Sequence, residues 1–124
     1  MNVVDSSGWL EYVAGGRNAD AFGPAIEDVE HLIVPTLCLY EVYRRLRSQQ
    51  DEPVALEVVG AMMEGRVVEL DASLALMSAR TGLETGLPLA DSVILATARA
   101  HEATLWTQDA DFEGMEGVRY FERG

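Results

Sequence analysis

Two carboxylates stand at the ends of short apolar runs that are typical of buried strands. Asp5 closes the run "NVVD" (2–5), and Asp109 follows the run "TLW" (104–106). In open parallel sheets, ligands bind beyond the carboxyl ends of the strands. We therefore expect Asp5 and Asp109 to lie on the same rim of one sheet.

Two further carboxylates stand on predicted helices that begin at that rim. Glu41 lies in the second turn of the helix after a second strand, four residues beyond Leu37 and beside the buried face. Asp91 lies in the first turn of the helix that "LPLAD" opens, on the same face as Leu95 and Ala98. A carboxylate on an apolar helix face is costly unless it is paired or bound to a cation.

The charge of these four residues suggests what they would do together. Like charges at close range raise each other's pKa and oppose folding. Oxygen ligands suit a hard divalent cation such as Mg²⁺ or Mn²⁺, which can activate water and stabilise charge on a phosphoryl oxygen. The sequence therefore favours a cation site with four acidic residues: Asp5, Glu41, Asp91 and Asp109.

Each acidic residue taken alone has a simpler interpretation. An Asp at a strand end commonly caps the next turn, and Asp91 would stabilise a helix dipole in a first turn. Glu41 alone would be a solvated or Arg-paired helix residue. Asp109 and Asp111 in "WTQDADF" (106–112) would form a solvated turn. The joint pattern favours one site, because four independent coincidences on one rim would be a rarer event.

The charge balance limits the classes of protein to which the chain can belong. The 124 residues carry a net charge of −12, because 21 acidic residues face nine arginines and no lysine. Such a surface repels phosphate backbones at long range and favours a basic protein partner. The absence of lysine argues against phosphoacceptor receiver domains and haloacid-dehalogenase-type phosphatases. Neither a P-loop nor G-x-G-x-x-G is present.

The length and composition fit one domain over residues 1–124. Hydrophobic residues make up 48% of the chain, enough for one core at this length. Cys38 is the only cysteine; we interpret it as a core residue, and it suits a reducing cytosol. The N-terminus lacks the features of a signal peptide, and no apolar run approaches the roughly 20 residues of a membrane span. We therefore expect a cytoplasmic protein.

Short apolar runs alternate with helical patterns along the chain. This alternation predicts an α/β fold, a three-layer sandwich with a mostly parallel sheet of about five short strands flanked by helices. Strands are predicted at 2–5, 32–35, 67–70, 104–106 and 118–122, the last at an edge. Helices are predicted over 6–16, 20–30, 36–46, 52–65, 71–83 and 86–103.

Three of these helices carry specific expectations. Thr36 is expected to cap the third helix, and Gly23-Pro24 to interrupt the second. The helix capped by Asp71 is expected to bury an apolar stripe of five residues: Ala72, Ala75, Leu76, Ala79 and Leu83.

Three arginines follow Glu41 in "YRRLR", namely Arg44, Arg45 and Arg47. They could form a phosphate clamp beside the metal site, a nucleic-acid contact. The alternative, which the composition favours, is a solvated face that balances nearby acids. The sequence leaves both interpretations open.

Three segments resemble a PIN domain, and more narrowly a VapC-type toxin of a type II toxin–antitoxin system. They are "VVDSSGWLEY", "VPTLCLYEVYRRL" and "LPLADSVILATARAHEATLWTQDADF". The resemblance runs from residue 2 to about residue 113. Its specific part is an ordered set: Asp after the first strand, Glu in the third helix, "LP-x-x-D" opening a long helix, and "T-x-D-x-D-F" after the next strand.

The resemblance implies a ribonuclease that depends on Mg²⁺ or Mn²⁺. Asp5 and Asp91 would be the most direct metal ligands. Asp109 and Glu41 would hold the ion, its waters or a second ion, with Glu41 acting through water. Asp111 is the alternative to Asp109 as the fourth acidic residue, and the spacing favours Asp109.

The same resemblance assigns supporting residues and partners. Ser7 and Thr107 match hydroxyl positions that would hydrogen-bond the carboxylates or a metal-bound water. Trp106 departs from the family pattern and is interpreted as core or interface packing. The expected partners are an RNA substrate, a small basic antitoxin and a second copy of the chain. The alternative is a PIN fold without catalysis that serves only as a protein-binding module.

Overall fold

Five short strands form the sheet in this computed structural model, which describes all residues from Met1 to Gly124. They are β1 (Asn2–Val4), β2 (Leu32–Pro35), β3 (Arg66–Val68), β4 (Thr104–Thr107) and β5 (Val118–Tyr120). Their order is β3-β2-β1-β4-β5, and every neighbouring pair is parallel. The predicted parallel sheet is therefore confirmed, with β5 at one edge and β3 at the other.

Six helices connect the strands. They are α1 (Ser6–Ala14), α2 (Ala19–Glu27), α3 (Thr36–Gln49), α4 (Glu52–Met62), α5 (Ala72–Thr85) and α6 (Leu89–Ala100). Two short 3-10 turns, Val29–His31 and Ala110–Phe112, complete the chain. None of the helices combines the length and the apolar content that crossing a membrane would require.

Both faces of the central strands are covered. Val3 and Val4 point to opposite faces because side chains alternate along a strand, and both are fully buried. Ile33 and Val34 on β2 are buried in the same way. Helices therefore pack on both sides of the sheet, which confirms the α/β sandwich. Cys38 is a fully buried member of this core, as expected.

The strand order reverses at β1, and this reversal positions the site. From β1 the chain runs outward through β2 to β3, then returns to β4 on the other side of β1. The backbone N–H of Asp5 donates to the carbonyl oxygen of Trp106 at 3.1 Å, just beyond the paired residues. The carboxyl ends of β1 and β4 therefore lie side by side at a topological switch point, where α/β sheets bind ligands.

Two expectations about helix ends and breaks are wrong. Thr36 does not cap α3; it is the first helical residue, and Pro35 holds the cap position without a side-chain hydrogen bond. Helix α2 runs unbroken through Pro24. Because Phe22 and Ala25 on either side of that proline are buried in the core, their packing outweighs the one backbone hydrogen bond that the proline removes.

The expected buried stripe of α5 is also wrong. Leu76 and Leu83 are 70% and 88% exposed, whereas Ser78 is buried against the neighbouring helix. The Ser78 hydroxyl donates to the Leu74 carbonyl at 2.7 Å, so burying it leaves no polar group unpaired. A Cβ at Gly82 would meet the Ser92 hydroxyl at 2.9 Å. Small residues thus bring α5 close to α6, and Leu76 and Leu83 remain outside.

Candidate active site

Asp5, at the carboxyl end of β1, accepts more hydrogen bonds than the other acids at this rim of the sheet. Its Oδ1 accepts hydrogen bonds from the Ser7 hydroxyl at 2.8 Å and the Gly8 N–H at 3.0 Å. Its Oδ2 accepts from the Thr107 hydroxyl at 2.7 Å. Asp5 is only 3% exposed and caps α1. The carboxylate is therefore oriented by three donors before any ligand binds.

Thr107 connects Asp5 to the fourth acidic segment. While its hydroxyl donates to Asp5, its Oγ1 accepts from the Asp109 N–H at 2.9 Å. Asp109 in turn caps the 3-10 turn after β4, because its Oδ1 accepts from the Asp111 N–H at 3.0 Å. One buried threonine therefore fixes the segment that carries Asp109 relative to Asp5.

Glu41 has a partner that sequence reasoning missed. The Ser6 hydroxyl donates to Glu41 Oε1 at 2.7 Å. The two residues are 35 positions apart, so no local pattern connects them. The adjacent serines in "DSS" thus serve different acids, Ser6 holding Glu41 and Ser7 holding Asp5.

A single cavity of about 270 Å³ brings the acidic residues together. Its lining includes Ser7 and all four of the acids singled out in the sequence, namely Asp5, Glu41, Asp91 and Asp109. Arg45 is the only cationic side chain in this lining, and Leu10 and Ile94 form its apolar part. Four segments of the chain therefore meet at one acidic cavity.

A tighter cluster lies at one side of this acidic cavity. Carboxylate oxygens of Asp91, Asp109 and Asp111 all lie within 4.8 Å of one another. Asp111 is exposed and does not line the cavity, whereas Asp109 does. Both aspartates of the "DAD" segment thus lie near Asp91. The sequence alone could not decide which of the two does so.

The pKa values of two acids are raised above the ordinary value. Burial raises the pKa of Asp5 from 3.8 to about 6, although hydrogen bonds from Thr107, Ser7 and Gly8 oppose this change. Burial also raises the pKa of Asp91 to about 7, and repulsion from Asp109 and other acids adds to it. A divalent cation would favour the ionised form of both groups.

The structure separates the three arginines of "YRRLR". Arg45 lines the acidic cavity. Arg44 lines a neighbouring depression together with Tyr40 and Glu41. Arg47 is exposed and lines neither. Of the three arginines, Arg45 alone lines the cavity that contains all four acids.

Two aromatic residues near the site belong to the core. Trp106 is buried, and its Nε1 donates to Asn2 Oδ1 at 2.9 Å. The Arg119 guanidinium lies 4.6 Å from the centre of the indole ring. Phe112 is fully buried and packs the turn after β4 onto the core. The interpretation of Trp106 as a packing residue is confirmed.

The chain belongs to the PIN domain family. The family model described as PIN domain matches residues 3–118, nearly the whole chain. No curated protein sequence matches it significantly.

Solved structures share the fold at low sequence identity. A toxin–antitoxin complex from Klebsiella pneumoniae is 22% identical with a TM-score of 0.82, covering 98% of this chain and 99% of its own. A Pyrobaculum aerophilum protein is 24% identical with a TM-score of 0.74, covering 97% and 88%. A VapC toxin of Mycobacterium tuberculosis, described as cleaving the sarcin–ricin loop, is 19% identical with a TM-score of 0.76, covering 96% and 99%.

Proposed function

We propose that this protein is a metal-dependent endoribonuclease that hydrolyses RNA phosphodiester bonds and acts as the VapC-type toxin of a toxin–antitoxin pair. The observation that carries the proposal is the meeting of four carboxylates at one cavity: Asp5, Glu41, Asp91 and Asp109. Membership of the PIN family supports a nuclease. The neighbour described as a sarcin–ricin loop cleaving toxin supports RNA as the substrate class.

The side chains present fit Mg²⁺ or Mn²⁺. All donors are carboxylate or hydroxyl oxygens, and the cluster around Asp91 has the spacing of a shared cation. Asp91, Asp109 and Asp5 would hold the ion, Glu41 would act through a water, and Asp111 would join Asp109. When bound, such an ion neutralises charge on the scissile phosphate and lowers the pKa of an attacking water.

The chain's own residues would orient these ligands and the substrate. Thr107, Ser7 and the Gly8 N–H hold the Asp5 carboxylate in one orientation, which reduces the entropy lost when a ligand binds. Asp91, with its pKa near 7, must lose its proton to become a ligand at neutral pH. Arg45 carries up to five N–H donors beside the acids and would contact a phosphate oxygen of the substrate.

The test is cleavage of cellular RNA by the purified protein in the presence of Mn²⁺. Wild-type protein should cleave, and EDTA should abolish cleavage. Asp91→Asn should lower the single-turnover rate by about 10²–10⁴-fold, since it removes a ligand of the ion that would stabilise the transition state. Asp20→Asn is the matched control, because Asp20 is also a first-turn aspartate but lies exposed on α2. Asp91→Asn cleaving at the wild-type rate would place the site elsewhere.

An apolar groove supports the antitoxin partner. The groove, about 580 Å³, lies among α1, α2 and α4, where Trp9 and Val58 line it and Glu27, Glu57 and Glu64 add negative charge. An amphipathic basic segment fits both features. The partner would be the basic product of a neighbouring reading frame, and it should suppress cleavage. An RNA substrate and a basic antitoxin would both place the protein in the cytoplasm.

The exposed leucines of α5 support the proposed homodimer. Leu76 and Leu83 lie on one side of the helix, two turns apart, with Ala79 between them. In an antiparallel pair, Leu76 of one copy would meet Leu83 of the other across the small alanine. The exposed Arg80, four residues after Leu76 and three before Leu83, lies beside this stripe, and no acidic residue lies between the two leucines in a chain of net charge −12. Leu83→Glu should yield a monomer in sedimentation equilibrium, whereas Leu56→Glu on α4 should not.

A further inference from the structure

A second groove opens from the acidic cavity. It has a volume of about 470 Å³ and lies between α1 and the end of α3, closed by the last residues of the chain. Ser7, Leu10 and Arg45 line both the groove and the acidic cavity, so the two are continuous. A ligand that reaches the acids through this groove would contact the lining of the groove and that of the acidic cavity.

The groove differs from the acidic cavity in charge. Arg45 and Arg123 both line it, and no carboxylate lies within 4.0 Å of either guanidinium, since the one ion pair of the structure joins His31 and Asp28. Glu11 is the only acid of the lining. In a chain of net charge −12, this is a local excess of positive charge beside the acids.

The Glu11 carboxylate is committed to the connection between α1 and α2. Its Oε2 accepts from the Asn18 N–H at 3.0 Å, and its side chain packs against Gly16. The carboxylate is thus held by the backbone and leaves both guanidinium groups free for an anionic ligand.

Asn18 also holds the end of the chain at the groove. Its Nδ2 donates to the Glu122 carbonyl at 2.9 Å and to Gln108 Oε1 at 3.0 Å. Gln108 is buried and directly follows Thr107 of the acidic site. Arg123 is therefore positioned by hydrogen bonds that originate beside the acidic residues.

We propose that this groove binds the single-stranded RNA next to the scissile phosphate, with Arg45 near the reacting group and Arg123 farther along the strand. This inference rests on the proposed nuclease function. Phosphate contacts from arginine fix the register of a strand without reading its sequence. A volume in the range of small-ligand sites admits a short stretch of single strand. Amides of Gln49 and Gln50 add hydrogen-bonding groups to the same wall.

The experiment measures binding of a 5′-fluorescein-labelled single-stranded RNA dodecamer by anisotropy with Mg²⁺. The Asp91→Asn background prevents cleavage of the probe. Arg45→Gln and Arg123→Gln should each weaken binding about threefold to tenfold. Each should also reduce the slope of log K against log salt by about 0.7, because one phosphate contact is lost.

Arg99→Gln is the matched control, since it removes the same charge from an exposed position in the last turn of α6. It should bind within twofold of the parent. Equal losses in all three variants would mean that only net charge matters and would overturn the proposal, as would unchanged binding in both groove variants.

The cleavage assay separates this inference from the proposed function. Arg123→Gln in the wild-type background should raise KM more than it lowers kcat. Binding that depends on Arg45 and Arg123 without cleavage by wild-type protein would support the groove and refute the nuclease. Cleavage with a KM unaffected by Arg123→Gln would support the nuclease and refute the groove.

Discussion

Two aspartates of the acidic cavity, Asp5 and Asp91, differ in the hydrogen bonds that the chain gives them. At the junction of β1 and α1, Asp5 is buried and accepts three hydrogen bonds from the chain itself. In the first turn of α6, Asp91 is half-buried, and no hydrogen bond from the chain lowers the pKa of its carboxyl group. Its pKa is raised by burial and by repulsion from neighbouring acids.

This difference implies that the two aspartates would contribute differently to cation binding, Asp5 through a fixed orientation and Asp91 through the relief of repulsion. Asp5 is already fixed, so a cation there would gain a ligand that needs no reorganisation. At Asp91, repulsion within the cluster with Asp109 and Asp111 remains for a cation to relieve. For the proposed cation, the junction of β1 and α1 would therefore supply geometry, and the first turn of α6 would supply most of the driving force for binding.

The largest expected effect is a pH dependence that comes from Asp5. Its folded pKa of about 6 lies above the ordinary value of 3.8, so between these pH values the folded metal-free protein binds more protons than the unfolded chain. Stability contributed by the protonated group is lost as the pH rises through this range. At about 1.36 kcal/mol per pKa unit, the cost at neutral pH is about 3 kcal/mol.

Urea denaturation of wild-type protein and Asp5→Asn in EDTA, at several pH values from 4 to 7.5, measures this cost. The variant should become more stable relative to wild type as the pH rises, then level off above pH 7. A constant difference across this range would show that the carboxylate is not desolvated in the folded protein.

The next effect compares the two regions through Mn²⁺. A cation that binds only the folded state stabilises it by about 2.7 kcal/mol at a concentration of 100 times its Kd. For a chain of this size, that corresponds to an increase in Tm on the order of 10 °C. Asp91→Asn should lose this increase, and Asp5→Asn should retain part of it. The reverse order would assign the driving force to Asp5 instead.

The smallest effect concerns the threonine that connects the acids. Thr107→Val removes the donor to Asp5 and the acceptor of the Asp109 N–H, and should lower the free energy of unfolding by about 2 kcal/mol. Thr97→Val is the control, because Thr97 is equally buried but its hydroxyl donates only to the Val93 carbonyl within α6. Similar losses in both variants, measured by urea denaturation, would remove the special role of Thr107.

The sequence by itself determined the sheet and the acids that stand at its rim. A strand followed by an aspartate is a local pattern, and parallel strands bring their carboxyl ends to one rim whatever the rest of the chain does. For this reason Asp5 and Asp109 could be assigned to one rim before the structure was known. The spacing around Asp91 likewise placed it on an apolar face at the start of a helix.

Only the tertiary structure decided how the helices turn and which distant residues meet. The pattern of α5 predicted buried leucines, yet Ser78 and Gly82 face α6, because close approach of two helices needs small residues and a serine can satisfy its hydroxyl within its own helix. The bond from Ser6 to Glu41 joins residues that no local spacing relates.

The tertiary structure also decided which residues surround the acids. Arg45 is four residues beyond Glu41 and shares its side of the helix, whereas Arg47 does not, but only the packing of α3 beside α1 brings Arg45 to the acidic cavity. Arg123 lines the adjoining groove, where Asn18, 105 residues earlier in the chain, holds the neighbouring Glu122 carbonyl. Local patterns thus determined where the acids stand, and the packing of distant segments decided what surrounds them.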